Sequence, residues 1–287
     1  MMKTIKIIVV ILGGLAAAFL ALHFAFSPRT EPVTFEYRDT PYNFIVIKMS
    51  DSEGNNPVFN YCLLEEADNE SLTFTILQDF TETGHGVVMD MKLKVNLKQG
   101  MLESFDMDNI LAGGEDITAK LQFKADFNTN RLSQTYYIHN NRDGKEEPRI
   151  NYRAIRVKPT WLYTSYLIDM VVLLPYINTE ISTFAAGLSN GNNYSKFVFK
   201  RAADLSTSGT ITYQFSPYGI FGLFSGMHGI FRLNNKGTYT EFELLSCTQK
   251  TGVWKDLLVT VMGYQTIAKE SFDGMRETLS KGEKVNL

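Results

Sequence analysis

Residues 87–98 have the sequence VVMDMKLKVNLK, and this stretch shows the clearest strand pattern of the chain. Every odd-numbered residue in it is apolar, and every even-numbered residue after Val88 is polar. Successive side chains of a β-strand point to opposite faces of a sheet, so this period of two predicts a strand buried on one face. The polar face predicts that the other side of the sheet is in water, as antiparallel sheets commonly are.

The same alternation predicts a second strand at residues 119–127, where Leu121, Phe123 and Ala125 alternate with polar residues. Shorter apolar runs predict further strands at residues 44–49, 72–77 and 132–139. The polar, turn-rich run at residues 140–148 predicts a boundary between modules. We therefore expect an antiparallel β-rich domain at residues 30–149 and a second domain at residues 150–287.

The second domain is predicted to begin with a strand at residues 150–157. Pro159 then opens a long apolar stretch without alternation, which predicts a buried helix at residues 161–174, ended by Pro175. A further short helix is predicted at residues 178–188. Four more strands follow in the prediction, at residues 196–201, 210–216, 227–233 and 238–245.

The last element is predicted to be a long amphipathic helix. Trp254, Val261, Ala268 and Met275 recur every seven residues, and Leu258, Phe272 and Leu279 recur on the neighbouring row. Such a stripe predicts a helix of seven to eight turns, about 40 Å long, with one buried face. The expected fold is thus α+β: an N-terminal transmembrane helix, an antiparallel β-sheet region, and a second antiparallel sheet packed on a long C-terminal helix.

The N-terminus predicts a membrane anchor over residues 1–29. Residues 7–26 are apolar or small except for His23, and about 20 such residues can span a bilayer as a helix. The small-x-small pattern that precedes a signal-peptide cleavage site is poor here, so an uncleaved anchor is favoured over a cleaved signal. With Lys3 and Lys6 on the cytoplasmic side, residues 30–287 would lie outside the cytoplasm, in a periplasm if the cell has one.

Composition and motifs argue against several functional classes. The 28 Lys and Arg residues do not outnumber the 31 Asp and Glu residues, which gives no support to nucleic-acid binding. The four histidines are scattered without the spacing of a zinc site, and no nucleophile elbow or phosphate-binding loop occurs. We therefore predict no catalytic residue, metal or cofactor, and favour a non-enzymatic protein.

Several residues of the second half resemble the START and polyketide-cyclase-like family, which has the helix-grip fold. The resemblance is carried by Ile155-Arg156-Val157-Lys158-Pro159, Tyr163, Leu167, Asp169, Leu174-Pro175, Lys236-Gly237-Thr238-Tyr239, and Phe272 to Leu279 ahead of Glu283. It covers residues 150–281 and implies a curved sheet that grips the C-terminal helix, with an apolar cavity between them. Members of the family hold lipids, sterols and other hydrophobic molecules there, and an enzyme of the cyclase type is a third alternative.

The predicted function is a membrane-anchored, extracytoplasmic protein that binds a lipid or other hydrophobic small molecule. Strand and helix residues are expected to line its cavity: Phe197, Tyr213, Phe215, Phe242, Trp254, Leu258 and Met262. The alternative is a structural or interaction protein of the cell envelope with a packed core and no ligand. An enclosed apolar pocket of roughly 300 Å³ or more would favour the first. The sequence leaves protein partners open.

The segment at residues 219–231, GIFGLFSGMHGIF, combines glycines with large apolar residues and has no Asp, Glu, Lys or Arg. Two interpretations remain open. The segment is either a loop that covers a cavity mouth or dips into the bilayer, or a bent strand whose glycines permit close backbone approach.

Overall fold

The computed structural model describes most of the chain. The described residues are 2–25, 27, 29–37, 40–51, 53–83, 87–98, 101–111, 119–126, 131–139, 146–154, 161–164, 171–186, 195–202, 209–219, 228–234, 239–245 and 257–285. The helices are α1 (Met2–Ala25) and α2 (Lys269–Ser280). The strands are β1 (Phe44–Asp51), β2 (Val58–Ala67), β3 (Ser71–Asp79), β4 (Val87–Asn96), β5 (Met101–Leu111), β6 (Ala119–Asp126), β7 (Arg131–His139), β8 (Glu146–Ala154), β9 (Trp161–Thr164), β10 (Ile181–Ala186), β11 (Ser195–Arg201), β12 (Thr210–Pro217), β13 (His228–Asn234), β14 (Tyr239–Leu245) and β15 (Leu257–Gln265).

The strands of the described residues form one sheet in the order β8-β7-β6-β5-β4-β3-β2-β1-β15-β14-β13-β12-β11-β10-β9. Neighbours are antiparallel, apart from the parallel pair β9 and β10. This arrangement confirms the α+β class and the antiparallel sheet. Residues 149 and 150, where the two predicted domains meet, both lie in β8, and the division into two domains stays a prediction.

Helix α1 is the one helix among the described residues that is long and apolar enough to cross a membrane. Its most apolar stretch, Ile8–Ala25, has a mean hydropathy of 2.4, and 0% of it is buried against the rest of the chain. A signal sequence has the same length and composition, so these properties fit either a membrane anchor or a signal sequence.

The centre of the sheet is buried on both faces. In β1, Ile45, Ile47 and Met49 point to one face, while Phe44 and Val46 point to the other. We call the first the inner face and the apolar cluster on it the inner core. That cluster joins residues of β1 to β4 with residues of β11, β12, β13 and β15. The opposite side is the outer face.

Residues 171–177 lie in the inner core and are all buried. We call them the inner segment. They belong to the connection between the parallel strands β9 and β10, since such a pair needs a long crossover. The Tyr213 hydroxyl donates to the Ile177 carbonyl at 3.2 Å, and the Glu36 amide donates to the Tyr176 carbonyl at 2.7 Å. The chain that follows α1 is thereby joined to the middle of the fold.

Helix α2 covers the outer face. Phe272 and Leu279, which are both fully or almost fully buried, pack with Phe44, Val46 and neighbouring apolar residues of β2. The rings of Phe44 and Phe272 meet edge to face, with centroids 6.2 Å apart. The predicted burial of Phe272 and Leu279 is confirmed.

Ion pairs hold α2 on the sheet. Glu65 of β2 accepts hydrogen bonds from Lys92 of β4 at 2.9 Å and from Lys269 of α2 at 3.0 Å. Further along the helix, the Arg276 Nε donates to Asp90 at 2.7 Å. Burial alone would raise the pKa of Glu65, but the two lysines outweigh it and lower this pKa to about 2.

We expect Glu65→Gln to lower the free energy of unfolding at pH 7 by about 1–2 kcal/mol, because the side chain is only 10% exposed, both lysines lose the negative charge, and one of them loses its acceptor oxygen. The pKa of Glu65 is lower in the folded state than its ordinary value of 4.5. The ionised group therefore stabilises the fold above about pH 4.5, and this contribution is lost as the pH falls towards 2. Urea unfolding at several pH values measures both effects.

Glu70→Gln is the matched control for this prediction. Glu70 also pairs with a lysine, Lys98, but both side chains are more than half exposed, and such surface pairs contribute little. Equal losses in the two variants would contradict a special role of Glu65 in holding α2.

One predicted helix in the middle of the chain is wrong over its first four residues, and a second is wrong over most of its length. Trp161–Thr164, at the start of the predicted helix 161–174, is strand β9, and its aromatic and β-branched residues suit a strand. Residues 171–173 are helical and Leu174–Tyr176 form a 3₁₀ turn, while residues 165–170 lie outside the described residues. The helix predicted at 178–188 is replaced by strand β10, Ile181–Ala186.

The predicted long C-terminal helix is also wrong over its first half. Leu257–Gln265 is strand β15, which pairs with β1 on one side and β14 on the other, and α2 has 12 residues. Val259 and Val261 both pack on the inner core, so the local period is two, and β-branched residues favour this conformation. The seven-residue spacing of apolar residues predicts a helix, but the same residues also fit this apolar strand.

Candidate functional site

Three residues predicted to line a cavity lie together on the inner face. Phe197 is in β11, and Tyr213 and Phe215 are in β12. The ring centroids of Phe197 and Phe215 are 6.2 Å apart, and those of Phe215 and Phe231 are 4.9 Å apart. With Phe199, whose ring lies 5.9 Å from that of Tyr213, these residues form what we call the aromatic wall.

The other predicted wall residues are not brought to this place. Leu258 is half-buried in β15, and Met262 is 56% exposed at an irregularity where β15 pairs with β1. Phe242 lies in β14 opposite Phe231, and its side chain is outside the described residues. Trp254 is outside them as well. The long helix that was to carry Trp254, Leu258 and Met262 is absent at Leu257–Gln265.

Gly229 lies against the aromatic wall. A Cβ atom at this position would be 1.7 Å from Cε1 of Phe215, so only a glycine fits beneath the ring. Gly229 is in β13, which agrees with the bent-strand interpretation at this residue. Residues 220–227 lie outside the described residues, and for them both interpretations remain predictions.

A pocket opens between the inner face and the inner segment. Its empty volume is about 310 Å³ including space open to solvent, while its interior has only about 10 Å³ for water-sized spheres, enough for about one water molecule. It is lined by Tyr42, Asn43, Ile45, Cys62, Leu64, Phe74, Val172, Pro175 and Tyr176. The pocket is therefore apolar, narrow and incompletely enclosed.

Tyr42 supplies an unpaired polar atom to this pocket. Its hydroxyl oxygen is buried and has no hydrogen-bond partner among the described residues. Its ring lies against that of Tyr264, with centroids 4.6 Å apart. Burial, together with the nearby hydroxyls of Tyr264 and Tyr176, raises the pKa of Tyr42 well above its usual value. The phenol is therefore neutral at physiological pH and can both donate and accept a hydrogen bond.

Asn43 fixes the backbone beside Tyr42. Its side-chain amide donates to the Ile267 carbonyl at 2.9 Å, and its side-chain oxygen accepts from the Ile267 amide at 2.9 Å. These two hydrogen bonds have the same reciprocal pattern as a bonded residue pair of two antiparallel strands, although Asn43 and Ile267 are far apart in the sequence. They hold the pocket wall next to the turn that leads into α2.

A second buried polar group lies on the inner face. The Gln78 side chain donates to Asn60 at 2.8 Å, and Asn60 donates to the Ile47 carbonyl at 3.2 Å. The Gln78 side-chain oxygen has no partner among the described residues. Sequence reasoning missed Tyr42, Asn60 and Gln78 because no local pattern distinguishes them from other polar residues of strands and turns.

The described part of the chain contains no candidate metal site. There, no three His, Cys, Asp or Glu residues are placed to hold a metal ion.

Comparisons with known proteins give a distant structural likeness. No protein-family model matches the chain, and no curated protein matches it. Among solved structures, the chain is similar to the crystal structure of a beta-barrel-like protein of a domain of unknown function, DUF1849, from Brucella abortus. The identity is 8%, the TM-score is 0.39, and the match covers 81% of this chain and 100% of the other.

Proposed function

We propose that this chain is a membrane-anchored, extracytoplasmic, non-enzymatic protein that binds the apolar part of a lipid or other hydrophobic small molecule on its inner face. The observation that carries the proposal is the narrow apolar pocket that contains the hydroxyl of Tyr42, which has no hydrogen-bond partner among the residues that the structure describes. Ligand sites in proteins commonly combine apolar walls with few polar groups that fix orientation. The helix-grip resemblance, with its hydrophobic ligands, belongs to the same proposal.

The proposed location is supported by the N-terminus. The stretch Ile8–Ala25 is exposed along its length, and nothing in the described part of the chain covers its apolar surface apart from a contact at His23. An exposed apolar helix of this length is stable in a bilayer. Lys3 and Lys6 precede it in the sequence, which favours a cytoplasmic N-terminus and an exported sheet domain.

The polar and apolar groups of the pocket favour a particular kind of ligand. The neutral phenol of Tyr42 suits a ligand oxygen, such as that of a carboxyl, ester or hydroxyl group. The remaining wall offers area and shape, so affinity should rise with the apolar surface of the ligand, by about 25 cal/mol per Å² before ordering costs. Because the interior has room for about one water molecule, a longer chain must displace Tyr42 or part of the inner segment.

The alternative is a protein with a packed core that contacts another envelope component. The small interior of the pocket favours it, since an inner core filled by the chain's own residues leaves no room for a preformed ligand. The two proposals differ in whether the full-length protein binds a hydrophobic molecule saturably.

Replacing Tyr42 by phenylalanine separates binding from stability. We expect Tyr42→Phe to keep or raise the free energy of unfolding, by up to about 1 kcal/mol, because a buried hydroxyl without a partner is destabilising. The same change should weaken binding of a fluorescent fatty-acid analogue by roughly fivefold to tenfold, since its carboxyl group loses a hydrogen bond. Titration of the full-length protein in nanodiscs measures the affinity, and urea unfolding measures the stability.

Tyr61→Phe is the matched control. Tyr61 is buried, as is the hydroxyl oxygen of Tyr42, but Tyr61 packs on the outer face with Phe44 and Phe272, away from the pocket. The Tyr61→Phe protein should bind the fatty-acid analogue with the same affinity as the unaltered protein. If the unaltered protein shows no saturable binding, the packed-core alternative is preferred, and if both variants lose affinity equally, the ligand does not contact Tyr42.

A further inference from the structure

The end of α1 touches the folded domain at one turn. The ring of His23 lies 6.1 Å from that of Tyr218, which directly follows β12. Gly219 is buried against the same histidine, and a Cβ atom at this glycine would be 2.4 Å from Cε1 of His23. Ser27 donates to the His23 carbonyl at 2.6 Å and extends the last turn of α1. The contact is therefore close and requires glycine at position 219.

This contact determines the depth of the turn in a membrane. The stretch Ile8–Ala25 has 18 residues, and at 1.5 Å per residue it is about 27 Å long, close to the thickness of the hydrocarbon core. His23 is two residues from the end of this stretch, so it reaches the boundary between hydrocarbon and headgroups. Tyr218, in contact with His23, must lie at the same level, and tyrosine is enriched there.

We propose that the turn Tyr218–Gly219 lies at the membrane–water interface and that the adjoining end of β11, β12 and β13 faces the lipid bilayer. The partner of this surface is the bilayer itself. The inference rests on the anchoring part of the proposed function and does not depend on ligand binding. Pro217, Tyr218 and Gly219 carry no charge, which suits a surface against headgroups and acyl chains.

The aromatic wall lies next to this end of the sheet. Pro217, the last residue of β12, pairs with Phe197 of β11, and Phe215 is three residues before Tyr218, about 10 Å along the strand. An acyl chain that leaves the bilayer at this turn would therefore meet the half-buried Phe197 first.

Photocrosslinking tests the orientation directly. Tyr218 is replaced by p-benzoylphenylalanine, which reacts with nearby C–H bonds, in the full-length protein in phosphatidylcholine–phosphatidylglycerol nanodiscs. The matched control carries the same amino acid at Thr210, at the other end of β12 and about 25 Å away along the strand. We expect lipid adducts by mass spectrometry at position 218 and at least tenfold fewer at position 210.

Two further variants separate this proposal from others. In the protein with p-benzoylphenylalanine at position 218, His23→Ala removes the ring that this position contacts without altering the sheet. The change should reduce lipid adducts at position 218 at least threefold. Tyr42→Phe should leave them unchanged, because these adducts come from the bilayer and not from the pocket. Equal adducts at positions 218 and 210, adducts to a second protein chain in place of lipid, or a purified protein that lacks α1 would each overturn the proposal.

Discussion

Phe272→Asp is expected to unfold the sheet domain or make it insoluble. Phe272 is fully buried between α2 and the outer face, where it packs on Phe44. Loss of a large buried side chain alone costs about 3–5 kcal/mol, and the new carboxylate would be buried without its water. The sum is comparable to the whole stability of an ordinary domain. Circular dichroism and urea unfolding of the purified protein measure the effect.

Ser271→Asp is the matched control, since it introduces the same residue at the neighbouring position. Ser271 is exposed in the first turn of α2, where a negative charge interacts favourably with the helix dipole. Its free energy of unfolding should change by less than about 0.5 kcal/mol. A Phe272→Asp protein that is as soluble and stable as the Ser271→Asp protein would show that α2 does not bury this face.

Gly229→Ala is expected to have the second largest effect, a loss of about 3 kcal/mol in the free energy of unfolding. The new methyl group would lie 1.7 Å from the ring of Phe215. That ring is held between Phe197 and Phe231, so it cannot turn aside without disturbing the aromatic wall. Overpacking in a core usually costs about 1–3 kcal/mol, and this contact belongs at the upper end.

Gly263→Ala tests whether steric overlap is the cause. Gly263 is also a strand glycine, in β15, but a Cβ atom there meets nothing within 4 Å, so the variant should be nearly as stable as the unaltered protein. The double variant Gly229→Ala with Phe215→Leu should lose less than the sum of its single variants, because the smaller side chain relieves the overlap. Strict additivity would contradict the proposed contact.

Strand β4 was predictable because its two faces have different surroundings. Met91 and Leu93 are buried in the inner core, while Lys92 and Lys94 are exposed, so the alternation of the sequence reflects burial directly. Strand β2 was missed for the opposite reason. Its residues Tyr61, Cys62 and Leu63 are all buried, since the inner core covers one face and α2 the other, and the sequence there does not alternate.

The candidate site was predictable only in part. Phe197, Tyr213 and Phe215 lie on the inner face, where a period of two places alternate residues of a strand, and their role as the wall of a ligand cavity stays a prediction. The pocket at Tyr42 is lined by Tyr176 as well, and the ring of Tyr42 packs on that of Tyr264; both partners lie far away in the sequence. No local pattern encodes such a contact. Helix α2 is shorter than predicted because the residues before it pair as strand β15, and the spacing of apolar residues does not show that pairing.

The pairing of β1 with β15 also delays completion of the fold until the chain has been synthesised as far as Gln265. Asn43, at the start of β1, binds Ile267 across 224 residues of chain. At 5–20 residues per second, a ribosome needs on the order of 10–45 s to make that stretch. During this time one edge of β1 has no partner, and an unpaired strand edge invites association with other chains. A nascent chain of this protein is therefore prone to associate with other chains until β15 emerges.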